Sequence, residues 1–424
     1  MPNPVMRPSS PDEIVEAAAR LRTIVQQKEI KPGVVVELFE RWANALNTAE
    51  LRNVPGVTFL RLWLRRGTLE PIIKRELVSD DQAGVQQVAG RAELRSFPLG
   101  VIGHWPAGNV EIQPILSLTC GLLGGNACLV RVPKALVEIT DQIVSKLEAV
   151  DKNGDLTERL FIASFDHSRE DLQIAMASSV DGAMIWGGEE AVREVRALPF
   201  PHWARLLVFG PRVSAAAMDS ATWADRRQRH AWCQRIARDV WQFDQQACSS
   251  PQTLFLEKSA GCDPAEFICD LGRAFSEENR IHPRRNADAG LTSAICLARA
   301  QWLFDDKEHR AFFPASPDWT ILVGKGIKLP KPVQGRTLTV LMVDDLMDVV
   351  SQFDGSLQTL GLAIDDPQKE EALVRMAGRH GVDRIVKLGR MHVFSSPWDG
   401  ADVVRSTVRM VRHVRSQEQG SREP

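Results

Sequence analysis

The chain has 424 residues, 44% of them hydrophobic and 25% charged, which is a globular composition with length for two sizeable domains. A formal net charge of -2 supplies no global basic field, so a nucleic acid is not an expected partner. The opening MPNPVMRPSSPDEIVEAA has no apolar core behind a positive head, and the most apolar stretch, 112–130, is broken by Gln113, Pro114, Ser117 and Thr119. Neither a secretory signal nor a membrane span is expected, and the predicted location is cytoplasmic.

In chain order, PDEIVEAAARLRTIVQQ, VVVELFERWANAL and LEPIIKREL carry apolar residues at helical spacing and predict a packed helical opening. From Ser96 the texture changes to short apolar runs bounded by Gly and Pro: PLGVIGHWPAG, ACLVRVP, GAMIWGG and RLLVFGP. Strands alternating with helices predict a mostly parallel α/β sheet. After a domain boundary near 211–220 comes the helix RRQRHAWCQRIARDVW, then strand TLFLEKS, helix AEFICDLGRAF, strands DWTILVG and TLTVLMV, helix DLMDVVSQF and strand HVFSS. The end, ADVVRSTVRMVRHVR, reads as a last helix with Val404, Val408 and Val411 on one face and Arg405, Arg409 and Arg412 on another, followed by a frayed tail. A docking site for an acidic carrier is the sharper reading of those arginines, and a solvated face the ordinary one.

Seven cysteines, an odd number without a C-x-x-C pair or a histidine at ligand spacing, predict reduced thiols and no metal site. Cys248 stands apart. In FDQQACSSPQTLFLE it occupies a polar turn between a helix and an apolar strand, where exposed amide dipoles favour the thiolate that attacks a carbonyl. Asn109, in GVIGHWPAGNVEIQPI, precedes a helix and reads either as a cap or as a side-chain donor to an oxyanion. Arg131 and Lys134, where ACLVRVPK leaves a strand, are either solvated cations or ligands of a nucleotide ribose or phosphate. Gly187 and Gly188 open a helix that can receive a pyrophosphate, although no G-x-G-x-x-G or Walker loop exists.

Taken in order, these segments resemble the aldehyde dehydrogenase superfamily, and FDQQACSSPQ with GVIGHWPAGNV looks like its LuxC-like acyl-CoA reductase branch, known from bacterial luminescence. The resemblance runs from about Leu99 to Val404, and Ser396-Pro397-Trp398-Asp399-Gly400 looks like the counterpart of the superfamily's Pro-Phe-Gly-Gly turn. It implies an α/β fold with a Rossmann-type cofactor domain and an α/β catalytic domain. The implied division is 1–212 for the helical opening and NAD(P)-binding domain, 213–400 for the catalytic cysteine domain and 401–424 for the C-terminal helix and tail.

By the same resemblance Cys248 accepts the acyl group and Asn109 holds the oxyanion together with the Cys248 amide. Arg131 falls where a lysine contacts the adenosine ribose, Gly187 and Gly188 match a Gly-Ser, and Trp186, Phe209 and Gly210 are expected to line the cofactor. Lys134 replaces a glutamate common in NAD-preferring members, which favours NADPH, with NADH the other reductant. Hydrolytic members carry Glu-Leu-Gly-Gly where this chain has Phe209-Gly210-Pro211. Without that base, thioester exchange is favoured over release of an acid.

The expected activity is NADPH-dependent reduction of a fatty acyl-CoA or acyl-protein thioester to an aldehyde through an acyl-cysteine. A CoA-acylating dehydrogenase of a short aldehyde, an acyltransferase or thioesterase without hydride transfer, and a non-catalytic subunit are the alternatives. The resemblance further implies a homo-oligomer and an acyl-activating enzyme or carrier protein as partner. His104 and Asp399 lie near the implied site, but a histidine beside a turn is more often structural, and neither is given a catalytic role.

Overall fold

The computed structural model describes residues 4–77, 86–88, 92–284, 288–305 and 309–414. They divide into two units, Met1–Gly210 with Phe394–Pro424, and Pro211–Val393.

In the first unit a short strand β1 (Val5–Met6) leads into the helical opening. Pro11 occupies the first turn of α1 (Pro11–Gln27), Asp12 and Glu13 follow at its positive end, and Ile14, Ala17, Ala18 and Leu21 form the buried stripe. Helix α2 (Pro32–Ala45) also starts with a proline and buries Phe39 and Trp42, and α3 (Ala49–Arg52), α4 (Val57–Trp63) and α5 (Arg66–Glu76) complete the opening. Two strands, β2 (Gln86–Val88) and β3 (Ala92–Pro98), precede the alternating region.

That region runs β4 (Val101–Trp105), α6 (Gln113–Leu123), β5 (Ala127–Arg131), α7 (Val137–Val150), β6 (Leu160–Ala163), α8 (Glu170–Ser178), β7 (Gly182–Trp186), α9 (Glu189–Arg196) and β8 (Arg205–Phe209). The sheet order is β1-β6-β5-β4-β7-β8, and every pairing is parallel. Strands β4 and β7 are buried along their whole length, as a sheet covered on both faces requires. The chain steps outward from β4 to β6, then returns to the far side of β4 for β7. The crevice at that reversal is where doubly wound sheets bind nucleotides.

The second unit contains β9 (Val213–Met218), α10 (Ser220–Ala224), α11 (Arg226–Trp241), β10 (Pro251–Glu257), α12 (Pro264–Ile281), α13 (Ala289–Asp305), β11 (Arg310–Phe312), β12 (Thr320–Lys325), β13 (Thr337–Val343), α14 (Leu346–Val350), β14 (Leu357–Ala363), α15 (Pro367–Arg379) and β15 (Arg384–Lys387). Its order is β11-β12-β13-β10-β9-β14-β15, parallel except for β11. Strands β9, β11, β14 and β15 add to those the sequence patterns indicate, whereas HVFSS is not a strand. The carbonyls of Met391 and Val393 instead accept Arg384 Nη1 at 2.6 Å and Nη2 at 2.7 Å, so a guanidinium takes the place of a ladder partner.

The closing segment of the first unit also differs from expectation. Residues 401–414 form no helix. A 3₁₀ turn at Arg405–Thr407 is followed by β16 (Val408–Val414), antiparallel to β3 from Val408 opposite Pro98 to Val414 opposite Ala92. Valines three apart suit a helix by spacing. Their branched side chains suit a strand better, and β3 supplies the edge that satisfies the backbone. Just upstream, Trp398 and Ala401 exchange both backbone hydrogen bonds at 2.9 Å around Asp399 and Gly400, which have φ of 49° and 72°. This is the two-residue turn that an Asp-Gly pair favours.

Candidate active site

Helix α11 ends at Trp241, and the next residues turn sharply. Phe243, Asp244 and Gln245 have φ of 54°, 50° and 62°, a left-handed stretch without glycine that costs roughly 1–3 kcal/mol per residue unless held. It is held from several sides. Asp244 receives Arg336 Nε at 2.7 Å and Nη2 at 2.6 Å, and the Arg336 guanidinium also lies 4.5 Å over the Trp241 ring. The Gln245 amide donates to the carbonyls of Pro251 and Thr337 and accepts Thr337 N, while the Gln252 amide reaches the carbonyls of Gln245 and Ser250. The resulting rigid turn carries half-buried Cys248 just before β10.

Strands β9 and β14 fix the cysteine further. Ser214 Oγ donates to the Cys248 carbonyl at 2.6 Å and accepts the amide of Thr359 at 3.2 Å, and Gln358 Nε2 lies 3.0 Å from Cys248 Sγ. Ser249 Oγ lies 3.0 Å from His392 Nδ1, and His392 Nε2 lies 2.7 Å from the carbonyl of Asp239. With a carbonyl facing Nε2, that nitrogen carries the proton and Nδ1 accepts from Ser249. Burial lowers His392 to about 4, so the ring is neutral and its two nitrogens are engaged. Burial also pushes the Asp239 carboxyl up to about 7, against the backbone amides of Gly389 and Met391 and the charge of Arg384. His392 thus fastens the turn from below.

In the first unit the other predicted residues gather at the carboxyl ends of β4, β5, β7 and β8. Arg131, half-buried, stacks 5.6 Å from the Phe165 ring, and its Nε is buried without a hydrogen-bond partner. Lys134 is exposed at the start of a 3₁₀ turn. Gly188 caps α9, and a Cβ built on Gly188 or Gly210 would meet nothing within 4 Å, so backbone is accessible there. Glu189 and Glu190 share the first turn of α9 and oppose an anion. Trp186 and Phe209 stack at 3.7 Å with ring planes 12° apart. Asn109 is exposed between β4 and α6 and is not the helix cap, since α6 begins at Gln113 after Ile112.

His104 is fully buried in β4. Its Nδ1 lies 2.7 Å from Ser117 Oγ, which also receives Trp186 Nε1 at 2.9 Å, and burial lowers the ring to about 3. It is a core histidine.

Residues 12–412 match the acyl-CoA reductase (LuxC) family. The chain belongs to that family. A long-chain acyl-protein thioester reductase of Photobacterium leiognathi is 23% identical over 354 residues, covering 82% of this chain and 71% of the relative. The fold matches a putative aldehyde dehydrogenase from Anabaena variabilis with a TM-score of 0.70 at 11% identity, over 98% of this chain and 95% of that one. It also matches aldehyde dehydrogenase C of Pseudomonas syringae, solved with NAD+ and octanal, with a TM-score of 0.67 at 12% identity over 96% and 89%. The LuxC resemblance and the aldehyde-dehydrogenase-like α/β fold are therefore established for this chain. Among the described residues no helix is long and apolar enough to cross a membrane.

Gln358, Ser214, His392 and Arg384 are absent from the sequence-derived site. Only Gln358-Thr359 left a trace, as a polar pair inside the otherwise apolar run LQTLGLA.

Proposed function

We propose that this LuxC-family chain reduces a long-chain acyl thioester, carried by CoA or by a protein, to an aldehyde through an acyl group on Cys248. The observation that carries the reading is the cysteine turn itself. It is braced at a left-handed stretch, and a side-chain amide faces the sulfur at 3.0 Å. The Cys248 thiolate attacks the thioester carbonyl, the departing thiol leaves with its bonding electrons and takes a proton, and an acyl-enzyme remains. Asn109 keeps the role of oxyanion donor that the resemblance implies. NADPH, when bound, supplies the hydride that reduces the acyl group. Collapse of the hemithioacetal then returns the Cys248 thiol and releases the aldehyde.

The first unit suits a dinucleotide. Arg131 offers a buried N–H without a partner, Lys134 adds a second cation, and Gly188 leaves the backbone open at the sheet's reversal point. Two cations favour the extra phosphate of NADPH over NADH. The stacked Phe209 and Trp186 give position 209 no group able to activate water, which supports aldehyde release over hydrolysis.

The test is oxidation of NADPH and NADH with acyl-CoAs from acetyl to palmitoyl and with an acyl-carrier thioester, with the aldehyde trapped and identified. Thioester-dependent oxidation that disappears in Cys248→Ala is the expected result. Normal aldehyde formation by Cys248→Ala overturns the reading, and acyl transfer without oxidation of either nucleotide favours the acyltransferase alternative.

A further inference from the structure

A short hydrogen-bond chain runs from a buried cation to the sulfur of Cys248. Arg384 Nη1 donates to Thr359 Oγ1 at 3.3 Å, Thr359 Oγ1 donates to Gln358 Oε1 at 3.3 Å, and Gln358 Nε2 donates to Cys248 Sγ at 3.0 Å. Gln358 and Thr359 are fully buried and Arg384 is 7% exposed. The order of donors fixes the amide. A guanidinium only donates, so the Thr359 hydroxyl accepts from it and passes its own hydrogen on. The glutamine oxygen must then face Thr359, and its NH₂ must face the sulfur. Each link also polarises the next in a setting of low dielectric.

We propose that the Arg384–Thr359–Gln358 relay stabilises and aims the Cys248 thiolate. The proposal rests on the reading of Cys248 as the nucleophile. An N–H donor favours S⁻ over S–H, because the thiolate is the far stronger acceptor. The same strand holds the cysteine backbone, since Thr359 N donates to Ser214 Oγ and Ser214 Oγ donates to the Cys248 carbonyl. Residues 358 and 359 therefore control both ends of the nucleophile. Gln358 contacts the reacting sulfur, and Thr359 acts through it as a positioning residue.

The titratable and charged groups packed around this turn have other duties. His392 is neutral between Ser249 and the Asp239 carbonyl, the Asp239 carboxylate caps the amides of Gly389 and Met391, and Asp244 is paired with Arg336. Arg384 is joined to the sulfur through Thr359 and Gln358. It also holds the carbonyls of Met391 and Val393, so a variant there would disturb the loop as well as the relay.

The experiment uses the full chain and follows iodoacetamide alkylation of the Cys248 peptide by mass spectrometry as a function of pH, for the parent, Gln358→Leu and Thr359→Val. Gln358→Leu removes the donor and is expected to raise the midpoint of Cys248 alkylation by about one to two pH units, the effect of losing a hydrogen bond to a charged group. At neutral pH alkylation should slow about tenfold or more and recover at alkaline pH. Thr359→Val keeps the side-chain shape, breaks the relay one step back and should move the midpoint the same way by less. Steady-state kinetics should show the loss mainly in kcat. An unchanged midpoint in both variants overturns the relay, even if activity falls. If Gln358→Leu does not fold, an unshifted Thr359→Val overturns it alone. Because alkylation is read without turnover, these results stand apart from Cys248→Ala, whose retained activity would instead sink the reductase reading.

Discussion

Acid should destabilise the first unit through His104. The ring is fully buried, with Nδ1 on Ser117 and Nε2 without a partner, so an imidazolium would bury an unsatisfied charge. Burial lowers its pKa from 6.5 to about 3. A histidine depressed in the folded state contributes stability that is complete above pH 6.5 and is lost as pH falls toward 3. The slope is about 1.4 kcal/mol per pH unit, and the full stake is roughly 5 kcal/mol, a large share of an ordinary domain's stability. His392, lowered to about 4, acts in the same direction. Asp239, raised to about 7, acts in the opposite one, since its contribution is full below pH 3.8 and is lost as pH rises through 7. Between pH 4 and 6.5 one histidine therefore offsets Asp239, and the other leaves a net gain of about 1.4 kcal/mol per pH unit on going up in pH. Replacing His104 with Gln should bring that slope close to zero. Urea unfolding at pH 4.5, 5.5 and 6.5, followed by tryptophan fluorescence, measures it. Equal slopes for parent and His104→Gln would refute the assignment.

Two further outcomes concern the proposed chemistry. Phe209→Glu places a carboxyl where this chain has an aromatic stack, and release of free acid from an acyl-CoA in the absence of nucleotide should rise about tenfold. An unchanged rate, measured by acid extraction, would show that position 209 does not govern the fate of the acyl-enzyme. Lys134→Glu reverses the charge of the exposed cation near the end of β5 and should raise KM for NADPH about tenfold or more while leaving that for NADH the same or lower. Equal shifts for the two nucleotides would remove Lys134 from cofactor selection.

Strands β4, β5, β7 and β8 were legible because each is a short apolar run closed by Gly or Pro, and the parallel sheet left β4 and β7 no polar face to disguise them, whereas β1, β2, β3 and β6 were not indicated by the sequence patterns. The cysteine turn was legible for a similar reason, as small polar residues trapped between a helix and a strand. Its partners were not. Gln358 lies 110 residues from Cys248 and His392 lies 143 from Ser249, separations that only the sheet order brings to zero. The closing segment misled because valines three apart fit a helical period, and the deciding factors were their branched side chains and the edge of β3. HVFSS misled because local β propensity has no weight once Arg384 claims the carbonyls.

The cysteine also sits where a general rule about parallel sheets would not look. Ligands in doubly wound folds bind at the carboxyl ends of strands, and the residues proposed for the nucleotide in the first unit obey that rule. Cys248 instead precedes β10, with Ser214 the second residue of β9 and Gln358 the second of β14, all at the amino ends of their strands. The side-chain donors to the sulfur and carbonyl of Cys248 are Gln358 and Ser214, and neither is a base. A histidine beside the thiolate would have to take its proton and would then stand ready to deliver water to the acyl-enzyme. His392 is neutral with both nitrogens engaged, and position 209 is an aromatic stack. An amide activates the sulfur without ever becoming a base. That choice suits a thioester enzyme whose acyl group must survive until it is reduced.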